Sequence, residues 1–159
     1  MVQGGRTAAA RNHEPFPFDP ASIDFVLLTH AHIDHSGLLP KLTRAGFKGA
    51  IYATPATVDL LGVMPDSAHI QESDAKRNAQ RLRGKDALPP LYTLQDASDC
   101  LQQVRGIEYD REFAPRVGVR ARFRDAGHIL GSAIIEVWVT EYGYPTKLVF
   151  SGDLGQPAR

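Results

Sequence analysis

The chain has 159 residues, about the size of one ordinary domain, and its 18 basic and 18 acidic residues give a formal net charge of zero. That balance removes any global electrostatic argument for nucleic-acid or membrane-surface binding. A content of 43% hydrophobic and 23% charged residues disfavours disorder, coiled coils and collagen. The single cysteine, Cys100, excludes an internal disulfide framework, and the N-terminus lacks the apolar core of a signal peptide. These features predict a cytoplasmic protein.

The first half of the sequence predicts strands and helices in alternation after an extended lead-in. Residues 1–22 are rich in Gly, Ala, Arg and Pro, and the stretch PFPFDP is incompatible with a helix interior or a central strand. The apolar run at 23–29 predicts a buried strand, and 37–45 an amphipathic helix. A second strand is predicted at 50–54, and Pro55 then opens another helix.

The second half begins with helices and ends with strands. Residues 66–90 have a polar, mostly helical pattern, and apolar positions at i, i+4 and i+7 predict a helix over 96–104. From residue 117 the apolar period becomes two, which predicts strands at 117–124, 133–140 and 147–150. The EYGYP segment predicts a hairpin between the last two strands. This order indicates a mixed α and β domain without the regular βαβ alternation of a doubly wound fold.

Four of the six residues in HAHIDH, at 30–35, carry side chains that bind metals. In an extended segment His30, His32 and Asp34 project to one side, because side chains of a strand alternate, and a turn at His35 brings it towards the same cavity. Imidazole nitrogens together with a carboxylate suit zinc and related divalent ions. Without a metal, so dense a polar cluster after a buried strand costs free energy.

Two further metal-competent residues lie where predicted strands end. His128 lies in GHILG and Asp153 in SGD, and the neighbouring glycines allow close approach of the backbone to a metal or substrate. Each alone has an ordinary structural interpretation, as a hydrogen-bonded core histidine or an Asx turn. Together with HAHIDH they make four histidines and two aspartates, more than one tetrahedral zinc requires. The surplus predicts two metal ions, with Asp153 as the better candidate for the bridging carboxylate.

The motifs THAHIDHSG, DAGHILGSA and FSGDLG resemble the successive signatures of the metallo-β-lactamase fold, specifically of its β-CASP branch of RNA- and DNA-processing nucleases. The first motif indicates only the superfamily, whereas GHILGSA, the PFPFDP lead-in and the long separation of His35 from His128 narrow the resemblance. It covers essentially the whole chain. The fold that it implies is an α/β (mixed α+β) αββα sandwich, present here in part.

The resemblance also implies the ligands and the chemistry. The implied ligands are His30, His32 and His128 for the first zinc, Asp34 and His35 for the second, and Asp153 as the bridge. Asp34 and Asp153 are the residues to which it gives a catalytic role, and groups around Asp34 and Ser132 are candidates for orienting the nucleophile or the ligands. The implied reaction is hydrolysis of a phosphodiester bond in single-stranded RNA by water that two zinc ions activate.

The sequence departs from the β-CASP pattern at both ends. Members of that branch carry an N-terminal strand pair with an aspartate motif. After the position of Asp153 they continue with an acidic motif, an inserted cap domain and two histidines, one of which completes the second zinc site. The expectation is therefore that residues 1–159 form a partial metallo-β-lactamase domain without the β-CASP cap. Alone, such a chain is expected to bind zinc weakly and to cleave RNA poorly or not at all.

Several alternatives stay open at this point. The chain is a zinc-dependent ribonuclease, another hydrolase of the same fold (a DNA nuclease, thioesterase or lactamase) or a non-catalytic metal-binding module. Endonuclease and 5′-exonuclease action are not distinguished, and the oligomeric state is not indicated. The basic stretch at 76–85 and the alternating Arg120, Arg122 and Arg124 are candidates for phosphate contacts, although solvated faces are the favoured interpretation.

Overall fold

The computed structural model describes residues 1–4, 6–81 and 88–156. Its helices are α1 (Arg6–His13), α2 (Ile33–Ser36), α3 (Leu39–Arg44), α4 (Pro55–Leu61), α5 (Met64–Arg81) and α6 (Leu94–Gln103), with a 3-10 turn at Pro20–Ser22. Its strands are β1 (Phe25–Leu27), β2 (Ala50–Ala53), β3 (Val104–Gly106), β4 (Glu112–Arg116), β5 (Val119–Asp125), β6 (Ala133–Glu141) and β7 (Tyr144–Phe150). The predicted mixed α and β class is confirmed.

The first sheet is parallel, in the order β1-β2-β3, with helices between successive strands. Two βαβ units follow one another here, so the prediction that βαβ alternation is lacking is wrong for this half. The sequence pattern misses β3 because the strand has three residues, too few for a period-two signal. Its first residue, Val104, also continues the apolar spacing of α6, although the helix ends at Gln103.

The second sheet is antiparallel, in the order β4-β5-β6-β7. The three predicted strands are present as β5, β6 and β7, and the last begins at Tyr144 rather than at Lys147. Tyr142 and Gly143 both have positive φ, as a tight hairpin turn between twisted strands requires. The pattern misses β4 because it contains a proline, Pro115, and a register shift between Phe113 and Arg116.

The parallel sheet lies between the helices and the antiparallel sheet. Ile51 and Ala53 of β2 are fully buried in the core beneath the helices, whereas Tyr52 packs with the inner face of the antiparallel sheet. Successive side chains of β2 point to opposite faces of the parallel sheet and therefore pack into two different cores. Burial raises the pKa of the Cys100 thiol to about 11, so this cysteine behaves as a small hydrophobic residue of the first core.

The lead-in differs from the sequence expectation. Residues 15–19 are outside regular structure, as PFPFDP predicts, but α1 precedes them and a 3-10 turn follows. The alanine-rich run RTAAARNH has high helix propensity, and proline restricts only its own neighbourhood. Asn12 is buried and exchanges two hydrogen bonds of 2.8 Å with the backbone of Val2. Of the predicted helical stretch 66–90, residues 82–87 lie outside the described part.

The outer face of the antiparallel sheet holds the alternating arginines, each beside a carboxylate. Arg122 bonds Glu136 at 2.8 Å and Arg120 bonds Glu112 at 2.6 Å, while Arg124 contacts Glu136 at 3.2 Å. These cations are therefore largely neutralised, which supports the solvated-face interpretation over phosphate binding. In the part of the chain that the structure describes, no helix is both long and apolar enough to cross a membrane.

Candidate metal centre

The residues of the predicted site lie at one edge of both sheets. His30 follows the carboxyl end of β1, and the loop 126–132, which carries His128, joins the end of β5 to the start of β6. The segment 151–155, which carries Asp153, leaves β7 at the same end of the antiparallel sheet. A hydrogen bond of 2.8 Å from the Ala133 amide to the Thr29 carbonyl ties the two sheets together at this edge.

The alternation of side chains predicted from the sequence requires an extended HAHIDH segment, but only its first part is extended. It is extended as far as His32, and residues Ile33–Ser36 then form the single-turn helix α2. Ser36 is buried, and its hydroxyl donates to the carbonyls of Ala31 and His32, which closes this turn. Because Asp34 lies in the helix, the period-two rule no longer applies to it, and its carboxylate does not point where a strand would have placed it.

Four of the six predicted residues converge. One ligand atom from each of His30, His32, His128 and Asp153 lies within 4.8 Å of the others. His32 Nδ1 is 3.1 Å from His30 Nε2 and 3.2 Å from His128 Nε2. Asp153 Oδ2 is 3.8 Å from His30 Nε2 and 3.6 Å from His128 Nε2. We call these residues the four-residue cluster.

The other two predicted residues form a second group beside this cluster. His35 Nε2 is 3.4 Å from Asp153 Oδ1 and 3.7 Å from Asp34 Oδ2. The two oxygens of Asp153 therefore face different groups, since Oδ2 faces the four-residue cluster and Oδ1 faces His35. This is the geometry that a bridging carboxylate needs. Asp34 lies at the open side, with 43% of its side chain exposed.

Burial and hydrogen bonding fix the charge state and orientation of His30. Its residue is fully buried, and its Nδ1 is 3.1 Å from the Thr29 hydroxyl, which leaves Nε2 facing the other ligand atoms. Burial and then the nearby His35 lower the pKa of His30, so its imidazole is neutral, as a metal ligand must be. The pKa of the Asp34 carboxyl is also lowered, chiefly by a backbone hydrogen bond.

Ser132 holds the loop on which His128 lies. Its buried hydroxyl accepts hydrogen bonds from the His128 amide at 3.1 Å and the Ile129 amide at 3.2 Å. Its carbonyl accepts from the Tyr109 hydroxyl at 2.8 Å. The sequence offered Ser132 only as a candidate for orienting the ligands. The contact with Tyr109 was missed, and no sequence signal connects those two positions.

Two glycines allow the Asp153 segment to approach the rest of the site. Gly152 has φ of +56°, and a Cβ there would lie 2.8 Å from the Cβ of Thr29, beside His30. Gly155 packs against the Gly127 carbonyl so closely that a side chain is excluded, and its amide donates to the Ala126 carbonyl at 3.0 Å. Both glycines thus allow the chain segments of the site to pack closely on one another, whereas the predicted close approach of the backbone to a metal or substrate stays a prediction.

The donor set suits a metal ion. Four ligands at about 2.0–2.1 Å from a tetrahedral ion lie roughly 3.4 Å from one another. Four of the six separations between these ligand atoms, from 3.1 to 3.8 Å, bracket that value, and all six lie within 4.8 Å. Three imidazoles and one carboxylate converge here, with the buried imidazole uncharged, and this donor set suits one divalent ion.

This fold and this site define a class. The family model described as "Metallo-beta-lactamase superfamily" matches residues 7–158, and the chain belongs to that superfamily. Solved structures agree on the fold. Metallo-β-lactamase MEM-A1, from a soil metagenome library, has a TM-score of 0.52 at 18% identity over 91% of this chain and 47% of its own. Metallo-β-lactamase SMB-1 has a TM-score of 0.51 at 19% identity, and the match covers 91% of this chain and 48% of the SMB-1 chain.

Among curated proteins, the chain is similar to two kinds of relative. Ribonuclease TTHA0252 of Thermus thermophilus is 41% identical over 98% of this chain and 31% of its own length. Transcription termination factor FttA of Pyrococcus abyssi is 37% identical over 87% of this chain and 22% of its own length. The chain thus spans less than a third of either relative. These matches confirm the resemblance to β-CASP-type nucleases that the motifs indicate.

Proposed function

We propose that the four-residue cluster holds a zinc ion. The observation that carries this proposal is the meeting of three imidazole nitrogens and one carboxylate oxygen, all within 4.8 Å. Three histidine ligands are typical of catalytic zinc, which also takes a water or substrate and can expand to five ligands, whereas magnesium and calcium prefer oxygen ligands. His30 is fully buried, and Asp153 is 45% exposed. The cluster therefore has a fixed inner side and an open outer side.

A second zinc ion is proposed between His35 and Asp34, with Asp153 shared. Both contacts of His35, at 3.4 Å to Asp153 and 3.7 Å to Asp34, support this placement. Two of these three groups, Asp34 and Asp153, are carboxylates more than 40% exposed. We therefore expect the second ion to bind more weakly than the first. Asp34 and Asp153 are the residues proposed to take part in catalysis.

The proposed reaction is hydrolysis of RNA phosphodiester bonds. Bound zinc supplies a Lewis acid and lowers the pKa of water towards about 7, so that hydroxide is available at neutral pH. The chain contributes the orientation. His30 stays neutral because it is buried, and the two oxygens of Asp153 separate the two groups of ligands. Exposure of His128 and Asp153, at 27% and 45%, leaves room for a substrate on the outer side.

RNA is proposed as the substrate because a ribonuclease and termination factors are among the relatives. Single-stranded RNA is proposed as the form that is cleaved, and a cytoplasmic location is proposed because it agrees with one buried, free cysteine. Residues 1–159 are proposed to form part of a metallo-β-lactamase domain. The span of the family model and the small share of each relative that is matched support this assignment.

The test is a substrate panel offered to the zinc-loaded chain. We expect slow cleavage of single-stranded RNA, less of DNA of the same sequence, and no hydrolysis of a thioester or a lactam. Asp153→Ala should abolish the cleavage, and so should a chelator. His69→Ala, which removes an exposed histidine of α5, should leave it unchanged. RNA labelled at either end separates endonuclease from 5′-exonuclease products.

Each other result contradicts a defined part of the proposal. Faster hydrolysis of the thioester or lactam would favour the alternative hydrolases of this fold. A chain that binds zinc at the cluster but cleaves nothing in the panel would act as a metal-binding module. A chain that binds two zinc ions tightly and turns RNA over rapidly would contradict the expected weakness of the second site.

A further inference from the structure

Gly131, in the loop 126–132 that carries His128, rests on the first turn of α4. Gly131 has φ of +81°, and a Cβ at this position would lie 2.5 Å from the Thr57 amide nitrogen. The loop and the helix are therefore in backbone contact. Thr54, Thr57 and Gly131 are all buried, so this contact is shielded from water.

Two threonine hydroxyls converge on one carbonyl at that contact. Thr54 Oγ1 donates to the Gly131 carbonyl at 2.6 Å, and Thr57 Oγ1 donates to the same oxygen at 2.9 Å. Both lone pairs of that carbonyl are thus used. Thr54 also caps α4, because its Oγ1 accepts a hydrogen bond from the Thr57 amide at 3.3 Å. The Gly131 carbonyl is consequently fixed to a helix terminus.

The fixed carbonyl lies one peptide bond from the residue that holds His128. Ser132 follows Gly131 directly, and its hydroxyl accepts the amides of His128 and Ile129. The path from α4 to the proposed metal site therefore runs through a buried set of hydrogen bonds, one peptide unit and a partly buried set of hydrogen bonds. Ala133, the next residue, is tied to Thr29 beside His30, so both ends of the path are anchored.

His128 needs such anchoring more than His30 does. The side chain of His128 is 27% exposed, and its nitrogen contacts are with the other members of the cluster. His30 in contrast is fully buried against β1. Because a ligand must be held within a few tenths of an ångström of its bonding position, the backbone of the loop decides where His128 Nε2 lies.

We propose that Thr54 and Thr57 are positioning residues for His128, acting through Gly131 and Ser132. The inference rests on the proposed function, because it requires His128 to bind the metal. Loss of the threonine hydroxyls leaves a buried carbonyl without donors, and the loop shifts to find other partners. The consequence is weaker metal binding by a protein that remains folded.

The test measures metal affinity in the Thr57→Val and Thr54→Val/Thr57→Val variants. Zn²⁺ dissociation constants come from competition with a chromophoric chelator, and the absorption spectrum of added Co²⁺ reports ligand geometry. We expect Thr57→Val to lower Zn²⁺ affinity by about tenfold. The double variant should lower it by roughly 10–100-fold, the range typical of residues that orient metal ligands. Thr57→Ser keeps the hydroxyl and should stay within about twofold.

The matched control is Thr43→Val. Thr43 is also a buried threonine whose hydroxyl donates a short bond, 2.6 Å to Gln103 Oε1, but it lies in α3, away from the loop. Urea unfolding of each metal-free variant gives its stability. We expect Thr43→Val to lose stability as Thr57→Val does while keeping the parent Zn²⁺ affinity and Co²⁺ spectrum.

The outcomes separate this inference from the proposed function. If the parent chain binds Zn²⁺ and Thr57→Val binds it equally well, the positioning role is wrong while the proposed function stands. The same conclusion follows if Thr43→Val lowers affinity as much as Thr57→Val, because the effect would then be one of general stability. If the parent chain binds no Zn²⁺ at the cluster, the proposed function itself fails. Should the double variant not fold, Thr57→Val and Thr57→Ser still decide the question.

Discussion

The two halves of the candidate site differ in how the fold holds them. The four-residue cluster contains a fully buried histidine and a loop fixed by Ser132, and its ligand atoms contact one another. The second group, Asp34 and His35, lies on the single-turn helix α2, and both side chains are substantially exposed. Asp153 belongs to both. The comparison indicates that one proposed metal position is built by the fold, whereas the other proposed position depends on exposed side chains.

This difference has a physical origin. A preformed site loses little conformational entropy when a metal binds, whereas exposed side chains must be ordered at that moment. The cluster is also assembled from three separate segments that are tied together at the sheet edge by hydrogen bonds. The second group comes from neighbouring residues on one helical turn. We therefore expect two metal affinities of different size and different sensitivity to substitution.

The largest effect is expected from His30→Ala. Removing a buried ligand of the cluster should weaken the first Zn²⁺ by about 100-fold or more, at or beyond the upper limit for residues that only orient ligands. His35→Ala should weaken only the second ion, leaving the first within a few fold. Titration of Zn²⁺ into each variant by calorimetry, with His69→Ala as the exposed control, measures both constants. Equal losses of both ions in both variants would contradict two separately held sites.

A smaller effect is expected from Gly152→Ala. The new Cβ would meet Thr29 at 2.8 Å and must displace the segment that carries Asp153, so Zn²⁺ affinity should fall by about tenfold. Gly143→Ala is the matched control, because its φ of +83° imposes similar backbone strain with no atom within 4 Å. Gly143→Ala should lose about 1–2 kcal/mol of stability from backbone strain and Gly152→Ala at least as much, but only Gly152→Ala should lose Zn²⁺ affinity. Equal affinities in the two variants would show that this close approach does not place Asp153.

The pH dependence of the metal-free protein tests the burial of His30. The pKa of His30 lies below the usual 6.5. Below pH 6.5, His30 therefore binds a proton in the unfolded chain but stays unprotonated in the folded chain until the pH reaches its lower folded-state pKa. The free energy of unfolding should therefore decrease as the pH falls from 6.5 towards the folded pKa. His30→Gln removes this titration and should give a flatter profile. Unfolding by urea in chelator at several pH values measures it, and parallel profiles would argue against a buried neutral imidazole.

Glu136→Gln, on the outer face of the antiparallel sheet, is expected to leave metal binding unchanged. Lys147 first, and then Arg122 and Arg124, lower the pKa of Glu136 to about 2. Its contribution to stability is thus complete above about 4.5 and is lost as the pH falls towards 2. At neutral pH the loss should be about 1 kcal/mol, allowing for the solvent exposure of its partners. Glu108→Gln, a control at an exposed glutamate, should reduce the free energy of unfolding by less. A change in Zn²⁺ affinity would link this face to the site.

The sequence is informative wherever a pattern is local. HAHIDH, His128 and Asp153 could be recognised because metal-binding side chains cluster where apolar runs end, and β5 and β6 because alternation extends over seven or more residues. The helical turn at Ile33–Ser36 could not be recognised, since four residues carry no period of their own. For the same reason β3 was missed.

The supports of the site depend on contacts between distant residues. Nothing in the sequence near Gly131 indicates that Thr54 and Thr57 will bond its carbonyl, because these positions are more than 70 residues apart. The contact of Gly155 with Gly127 is likewise set by how two loops meet. Candidate ligands are thus readable from residue types, whereas the interactions that place each candidate appear only once the sheets have packed.

The most direct test of the central claim is an anomalous-scattering crystal structure of the chain prepared with Zn²⁺. We predict a strong zinc peak bonded to His30, His32, His128 and Asp153 at about 2.0–2.2 Å, and a weaker peak beside His35 and Asp34. A strong peak at His35 and Asp34 with none at the four-residue cluster would contradict the account. So would zinc bound only elsewhere on the surface.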